Sequence, residues 1–296
     1  MGTDKASRLH TVIRPNPTVD HKPLPSSGRA GRNLPAAIAS GVVLIVVVAA
    51  ALFLARPVFL VIVGILVWLA SWEIAGALAR REMTVMLLPV YLGGAAMLVA
   101  GAFGSVGWLM ISLYLTLIMI VVNRMMWSSL STRPVPDVLA SVFTAVYVPF
   151  LASFVALISA YTPTPWPLVF FIVVVVCNDL GGWMAGVLFG KHPMAPKLSP
   201  KKSWEGFAGS VTLCLVAGVI GTFVMGIPWW WAPVMAFVGA VVGTLGDLTE
   251  SLIKRDVGLK DMSGILPGHG GIMDRVDSIL FAAPAFFLIY TFAFGW

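Results

Sequence analysis

Charge is what this chain has least of. Asp, Glu, Lys and Arg make up 11% of its 296 residues against 59% hydrophobic, and the mean hydropathy is +0.94. That scarcity excludes an ordinary soluble domain, in which about a quarter of the residues are charged. Cysteine is nearly missing too. Cys177 and Cys214 both fall inside apolar runs, so neither a disulfide framework nor a thiolate metal site is expected, and the pair reads as small buried apolar residues. No basic-then-apolar leader with a cleavage site is recognisable. Ala6 stands where a myristoylation signal starting at Gly2 wants Ser or Thr. Internal repeats and inverted pairs of broken helices are likewise missing, which counts against a secondary transporter.

What is present is hydrocarbon in helix-length pieces. A span needs about 20 apolar residues, and the spacing of charges, prolines and glycines predicts nine: Ala36–Ala55, Pro57–Leu78, Met83–Phe103, Val106–Val122, Val138–Tyr161, Trp166–Phe189, Trp204–Met225, Trp229–Leu252 and Val276–Phe294. The expected fold is therefore an all-α polytopic membrane protein. With the N-terminus cytoplasmic, every one of the 19 Lys and Arg residues except Arg56 falls on the cytoplasmic side, as the positive-inside rule demands. The net charge of +6 thus reports topology and contact with anionic lipid or phosphate. No nucleic-acid partner is expected. Residues 1–33, rich in Pro, Ser and Gly, read as a disordered cytoplasmic tail, and 34–296 as one integral membrane domain.

Carboxylates in such a chain are informative, because a charge at the bilayer centre costs about 2.5–3.5 kcal/mol on insertion scales. Asp179 lies mid-span. Asp247 and Glu250 share a helical face near the inner end of the eighth run, Asp274 and Asp277 repeat that spacing at the entry to the ninth, and Glu73 sits before Arg80 and Arg81. Their expected counter-ions are a metal or a neighbouring Lys or Arg. Hard cations such as Mg²⁺ take carboxylate and water oxygens, often from only one or two protein carboxylates plus substrate phosphate. Asp247, Asp274 and Asp277 suit that role; ion pairs such as Asp274 with Arg275 or Asp261 with Lys260 are the bland alternative.

Two loops carry phosphate-binding chemistry. In GKHPMAPKLSPKKSWEG, Lys191, Lys197, Lys201 and Lys202 stand among Ser199 and Ser203. Ser203 is placed to cap the seventh span and leave its amides facing an anion. The second loop, Lys254 to Arg275, centres on PGHGG, where glycines let amides approach an anion and His269 can donate to phosphate or ligate metal. Gly239, Gly243 and Gly246 in the eighth span read first as close helix packing, with a homodimer seam as the alternative.

Ser251, Lys254, Arg255, Lys260, Asp261, Pro267, His269, Gly270, Gly271, Asp274, Arg275 and Asp277 resemble, in order and spacing, the signature of the phosphatidate cytidylyltransferases, the CDP-diacylglycerol synthases. SPKKSWEG resembles a second stretch of that family, so the likeness covers roughly the C-terminal half, with the site expected mainly in 177–278. Two positions depart: Val187 stands where an arginine is common, with Lys191 as a substitute, and Ser203 where Thr is common.

The resemblance implies transfer of CMP from CTP to phosphatidic acid at the cytoplasmic face of the plasma membrane, among membrane lipids, with release of pyrophosphate. It implies Mg²⁺, with room for a second cation, on Asp247, Asp274 and Asp277, Asp179 being a further member. Lys197, Ser199, Lys201, Lys202 and Ser203 would hold the triphosphate. Lys254, Arg255 and Arg275 would hold the lipid phosphate or pyrophosphate, and Lys260, Asp261, His269, Gly270 and Gly271 would complete the substrate contacts. A CTP-dependent lipid kinase is the nearest rival, and an ion transporter the rival of another class. Only Asp179 lies deep enough to mark a transport path.

Overall fold

The structure is a computed structural model that describes residues 47–48, 50–127, 133–265 and 270–296. The expected tail lies outside these residues, as does most of the first run, of which residues 50–54 are helical. Among the described residues seven helices are long and apolar enough to cross a membrane, and an eighth apolar helix is shorter. The chain is an all-α polytopic membrane protein. It divides into two compact units, one comprising Met1–Ser153 and Asp256–Asp274, the other Phe154–Arg255 and Arg275–Trp296.

The first unit contains α1 (Arg56–Ala79), α2 (Leu87–Phe103), α3 (Val106–Met126) and α4 (Pro134–Ala145). Prolines open α1 and α4, where the missing N–H would have had no helical partner anyway. After α4 the backbone widens into a single π-helical turn, Val146–Phe150, around Pro149. The chain then resumes as α5 (Leu151–Tyr161). A π-turn is a common way to absorb the lost bond of an internal proline. Close approaches use glycine: a Cβ on Gly93 would sit 2.2 Å from Thr116 Oγ1, and one on Gly94 2.9 Å from Pro149. A buried ion pair joins Arg124 on α3 to Asp137 on α4, and Asp137 Oδ1 also accepts from the Thr84 amide at 2.6 Å.

The second unit is built on α6 (Trp166–Phe189), α7 (Trp204–Met225), α8 (Trp231–Asp256) and α9 (Met273–Phe294). Its core includes Phe171 against Phe286, ring centroids 5.2 Å apart, and Tyr290, whose hydroxyl donates to Pro167 O at 2.8 Å. Gly226 ends α7 in the left-handed region at φ 67°, the usual helix stop. Between α6 and α7 the lysine-rich segment is not a plain loop: β1 (Pro193–Ala195) and β2 (Ser199–Ser203) pair antiparallel. Helical periodicity and charge counting carry no signal for so short a hairpin. Cys214 is buried with its Sγ on Val174 O, while Cys177 is half-buried; both are free thiols.

Candidate active site

In the second unit, α6 and α7 meet backbone to backbone. A Cβ on Gly181 would lie 2.6 Å from Gly209 O, and one on Gly209 2.7 Å from Gly181 O. Gly206 is equally close to Gly182 O. Only glycine permits this approach, and it sets Asn178 and Asp179 on α6 beside Ser210 on α7, whose hydroxyl donates to Asn178 O at 2.6 Å. Asn178 is buried, gives a hydrogen bond to Asp179 Oδ1 at 3.2 Å and accepts one from Thr244 on α8 at 3.4 Å. Gly243 makes room for its carboxamide.

These groups open onto a cavity of about 240 Å³, whose walls include Asp179 and Asp247, Lys201 and Lys202, Ser203, and the ring of Trp183. Lys202 Nζ lies 2.7 Å from Asp247 Oδ2. Ser203 is the N-cap of α7, its hydroxyl accepting from the Gly206 amide at 3.1 Å, so the predicted cap is present at the mouth of the site. Glu205 in the same turn gathers the amides of Lys191 and His192 and pairs with His192 Nδ1 at 2.5 Å, bracing the hairpin. Arg275 is within electrostatic reach of Asp179, and Asp277, which is buried, is within reach of Asp247, Asp179 and Lys254.

Three of the four predicted metal-binding carboxylates, Asp179, Asp247 and Asp277, therefore share one electrostatic neighbourhood. No cage of three or more His, Cys, Asp or Glu side chains is formed among the described residues. The donor set is nonetheless of the kind a hard cation takes, carboxylate oxygens with remaining positions left to water and substrate phosphate. Other predicted contacts stand apart from the cavity walls. Lys197 and Lys191 are exposed and Ser199 is half-buried. Lys254 pairs with the buried Glu250 at 2.6 Å, and Arg255 donates to Leu198 O at 3.3 Å, pinning the hairpin loop. Val187, in place of the expected arginine, is exposed. Gly239, Gly243 and Gly246 are filled by Val174 and Phe286, by Asn178, and by Asp277 and Ser278, so close packing within one chain accounts for all three.

In the first unit, Asp274 takes two amides on one oxygen: Gly271 N at 2.7 Å and Met262 N at 3.0 Å. Gly270 has φ 86°, and a Cβ there would meet Asp274 Oδ2 at 2.9 Å. Gly270 and Gly271 thus bring backbone to the protein's own carboxylates, a use that the sequence alone leaves indistinguishable from anion binding. Asp261 is half-buried and Lys260 exposed. His269 lies outside the described residues. Glu73, expected to face a metal or a basic side chain, instead accepts from Ser263 Oγ and the amides of Ile272 and Met273. Sequence reasoning passed over Asn178, Thr244 and Ser210. Asn178, an amide beside an intramembrane aspartate, was the one available signal.

Comparison with known proteins shows the family of the chain. Residues 35–293 match the model of the cytidylyltransferase family. The chain is 37% identical to a phosphatidate cytidylyltransferase of Mycobacterium bovis, over 98% of this chain and 99% of that one. It is 37% identical to one of Mycobacterium tuberculosis, over 98% and 92%. A more distant relative of the same description, from Haemophilus influenzae, is 31% identical over 86% of this chain and 98% of its own.

Proposed function

The chain belongs to the cytidylyltransferase family, and from that premise we propose that it transfers CMP from CTP to phosphatidic acid at the cavity of the second unit. One observation carries the reading. Two carboxylates and two lysines line one cavity beside a capped helix N-terminus, in a chain of which only 11% is charged. A phosphate oxygen of the lipid attacks the α-phosphorus of CTP. The new oxygen–phosphorus bond forms as the bond to the β-phosphate oxygen breaks, giving CDP-diacylglycerol and pyrophosphate. No protein nucleophile is needed, so catalysis reduces to positioning two anions and offsetting their charge.

Lys201 and Lys202 bind the triphosphate as point charges, aided by the positive end of α7 behind Ser203. As Lys202 turns to phosphate it leaves Asp247, which with Asp179 and Asp277 would hold Mg²⁺. Bound there, Mg²⁺ supplies charge neutralisation at the phosphate oxygens. Arg275 and Lys254 hold the lipid phosphate or the departing pyrophosphate. CTP is a cytosolic solute and the acyl chains stay in the bilayer, so the reacting end faces the cytoplasm from the plasma membrane, in line with the distribution of Lys and Arg.

The test is a product assay. The purified chain in mixed micelles receives phosphatidic acid, CTP and Mg²⁺, and the lipid fraction is analysed by mass spectrometry beside Asp247→Asn and Asp274→Asn. CDP-diacylglycerol formed by the unmodified chain and lost in Asp247→Asn supports the reading. A folded, CTP-binding protein that makes no nucleotidyl lipid overturns it in favour of phosphate transfer to a lipid alcohol.

A further inference from the structure

Asn178 bonds to all three helices that meet at the cavity of the second unit. It lies on α6 among the residues that line the cavity and is 4% exposed, so its polar atoms need partners inside the protein. Its backbone oxygen accepts from Ser210 Oγ on α7 at 2.6 Å. Its side-chain Oδ1 accepts from Thr244 Oγ1 on α8 at 3.4 Å, and its Nδ2 donates to Asp179 Oδ1 at 3.2 Å. Only one orientation of the carboxamide serves both contacts. An ionised carboxylate can only accept, so turning the amide over would set its oxygen against Asp179.

The seam on which Asn178 sits leaves it little room to move. Gly239 and Gly243, one turn apart on α8, face Val174 and Asn178, one turn apart on α6: a Cβ on Gly239 would lie 2.5 Å from Val174 Cγ1, and one on Gly243 2.8 Å from Asn178 Nδ2. One further turn along the same row of α8 stands Asp247. The two carboxylates that line the cavity therefore come from separate helices, Asp179 from α6 beside Asn178 and Asp247 from α8 beyond Gly243 and Thr244. A polar bridge across the seam, Thr244 to Asn178 to Asp179, ties the helix that carries Asp247 to the carboxyl group of Asp179.

We infer that Asn178 is a positioning residue: with Thr244 it holds the Asp179 carboxylate in register with Asp247, so that the pair suits a small hard cation better than a large one. The inference rests on the proposed function insofar as both carboxylates hold Mg²⁺. Mg²⁺ demands near-ideal octahedral geometry at about 2.0–2.1 Å, whereas Ca²⁺ accepts irregular shells at about 2.3–2.6 Å. A carboxylate free to swing keeps its charge, and with it an attraction for either ion. It no longer supplies the fixed oxygen that the smaller ion needs. Hydrogen-bond partners that orient a ligating group are worth about 10- to 100-fold in metal affinity.

The experiment titrates the purified full chain in detergent with Mg²⁺ alone and with Ca²⁺ alone, by calorimetry and without nucleotide or lipid. Asn178→Leu, close to the native side chain in shape but with no polar end, should bind Mg²⁺ about ten- to hundredfold more weakly and Ca²⁺ less than about threefold more weakly. Thr244→Val should shift the ratio of the two affinities in the same direction by a smaller factor. Thr244→Ser, which keeps the hydroxyl, should leave the ratio near that of the unmodified chain. Loss of packing alone weakens both ions together, so the ratio separates positioning from a structural role. An unchanged ratio in Asn178→Leu overturns the inference, whether both affinities fall or neither does. If Asn178→Leu does not fold, Thr244→Val beside Thr244→Ser is read by the same outcomes. An unmodified chain that binds Mg²⁺ but makes no CDP-diacylglycerol sinks the functional reading, and the ratio alone then decides the role of Asn178. An unmodified chain that binds neither ion overturns the inference itself.

Discussion

Lys202 at the end of β2 and Asp247 on α8 hold each other at 2.7 Å, so the phosphate-binding lysine and the metal-binding carboxylate proposed for this site neutralise one another before substrate arrives. Both charges are thus kept in the partly shielded cavity at a lower cost than either would incur alone. On the proposed reading, substrate binding exchanges the partners of both charges.

Removing Lys202 should separate the two roles. A hydrogen bond to a charged group is worth about 1.5–3 kcal/mol, so Lys202→Met should raise KM for CTP about ten- to hundredfold. Asp247, released from its partner, should then bind Mn²⁺ more tightly in the absence of nucleotide. Steady-state kinetics and calorimetric titration with the metal alone read the two effects. Unchanged metal affinity would mean that the pair does not compete with the cation.

Ser203 caps α7 through the Gly206 amide. Ser203→Ala should cost about 1 kcal/mol of stability and weaken CTP binding, because the first turn frays where we propose that the triphosphate binds. Ser203→Thr, which keeps the hydroxyl, should stay near the unmodified protein in both melting temperature and KM.

The glycine seam between α6 and α7 should tolerate no side chain. In Gly181→Ala the new Cβ meets Gly209 O at 2.6 Å, backbone that cannot step aside. Overpacking of this kind costs about 1–3 kcal/mol and should lower both the melting temperature and kcat. Gly64→Ala, whose nearest neighbour would be Leu98 at 3.8 Å, should leave both unchanged. Thermal melts in detergent beside the product assay make the comparison.

Arg124 and Asp137 form a buried ion pair in the first unit, and Asp137 is 1% exposed. Arg124→Leu strands that carboxylate away from its guanidinium and should destabilise the protein by about 3–5 kcal/mol. Arg124→Leu with Asp137→Leu should recover much of the loss, less the bond from the Thr84 amide. The cycle is read from melting temperatures of the two single variants and the double.

Much of the helical frame was legible from hydropathy. The predicted spans Trp166–Phe189 and Trp204–Met225 coincide with α6 and α7 to the residue, because proline, tryptophan and the Ser203 cap mark their ends. Other boundaries moved by a few residues: α9 begins at Met273 rather than Val276, and α8 runs on to Asp256. In both, polar residues continue a helix that an apolar-run criterion cuts short. The site was legible as residue types. Asp179, Asp247, Lys201, Lys202 and Ser203 stand together in the cavity walls, while Lys197 and Ser199, chosen by the same reasoning, do not.

What the sequence determined by itself is what the bilayer as solvent demands. Hydrocarbon cannot satisfy backbone polar groups, so apolar runs of this length become helices, and each retained charge marks a place of function or pairing. Which charge meets which was decided only by the tertiary structure. Glu73 accepts from Met273, 200 positions away in the chain, and Lys202 finds Asp247 only because β2 folds back beside α7. Periodicity reports the face a residue occupies on its own helix. The partner across the gap depends on how closely two helices approach, and here that distance is set by glycines such as Gly181 and Gly209, which add almost nothing to a hydropathy pattern.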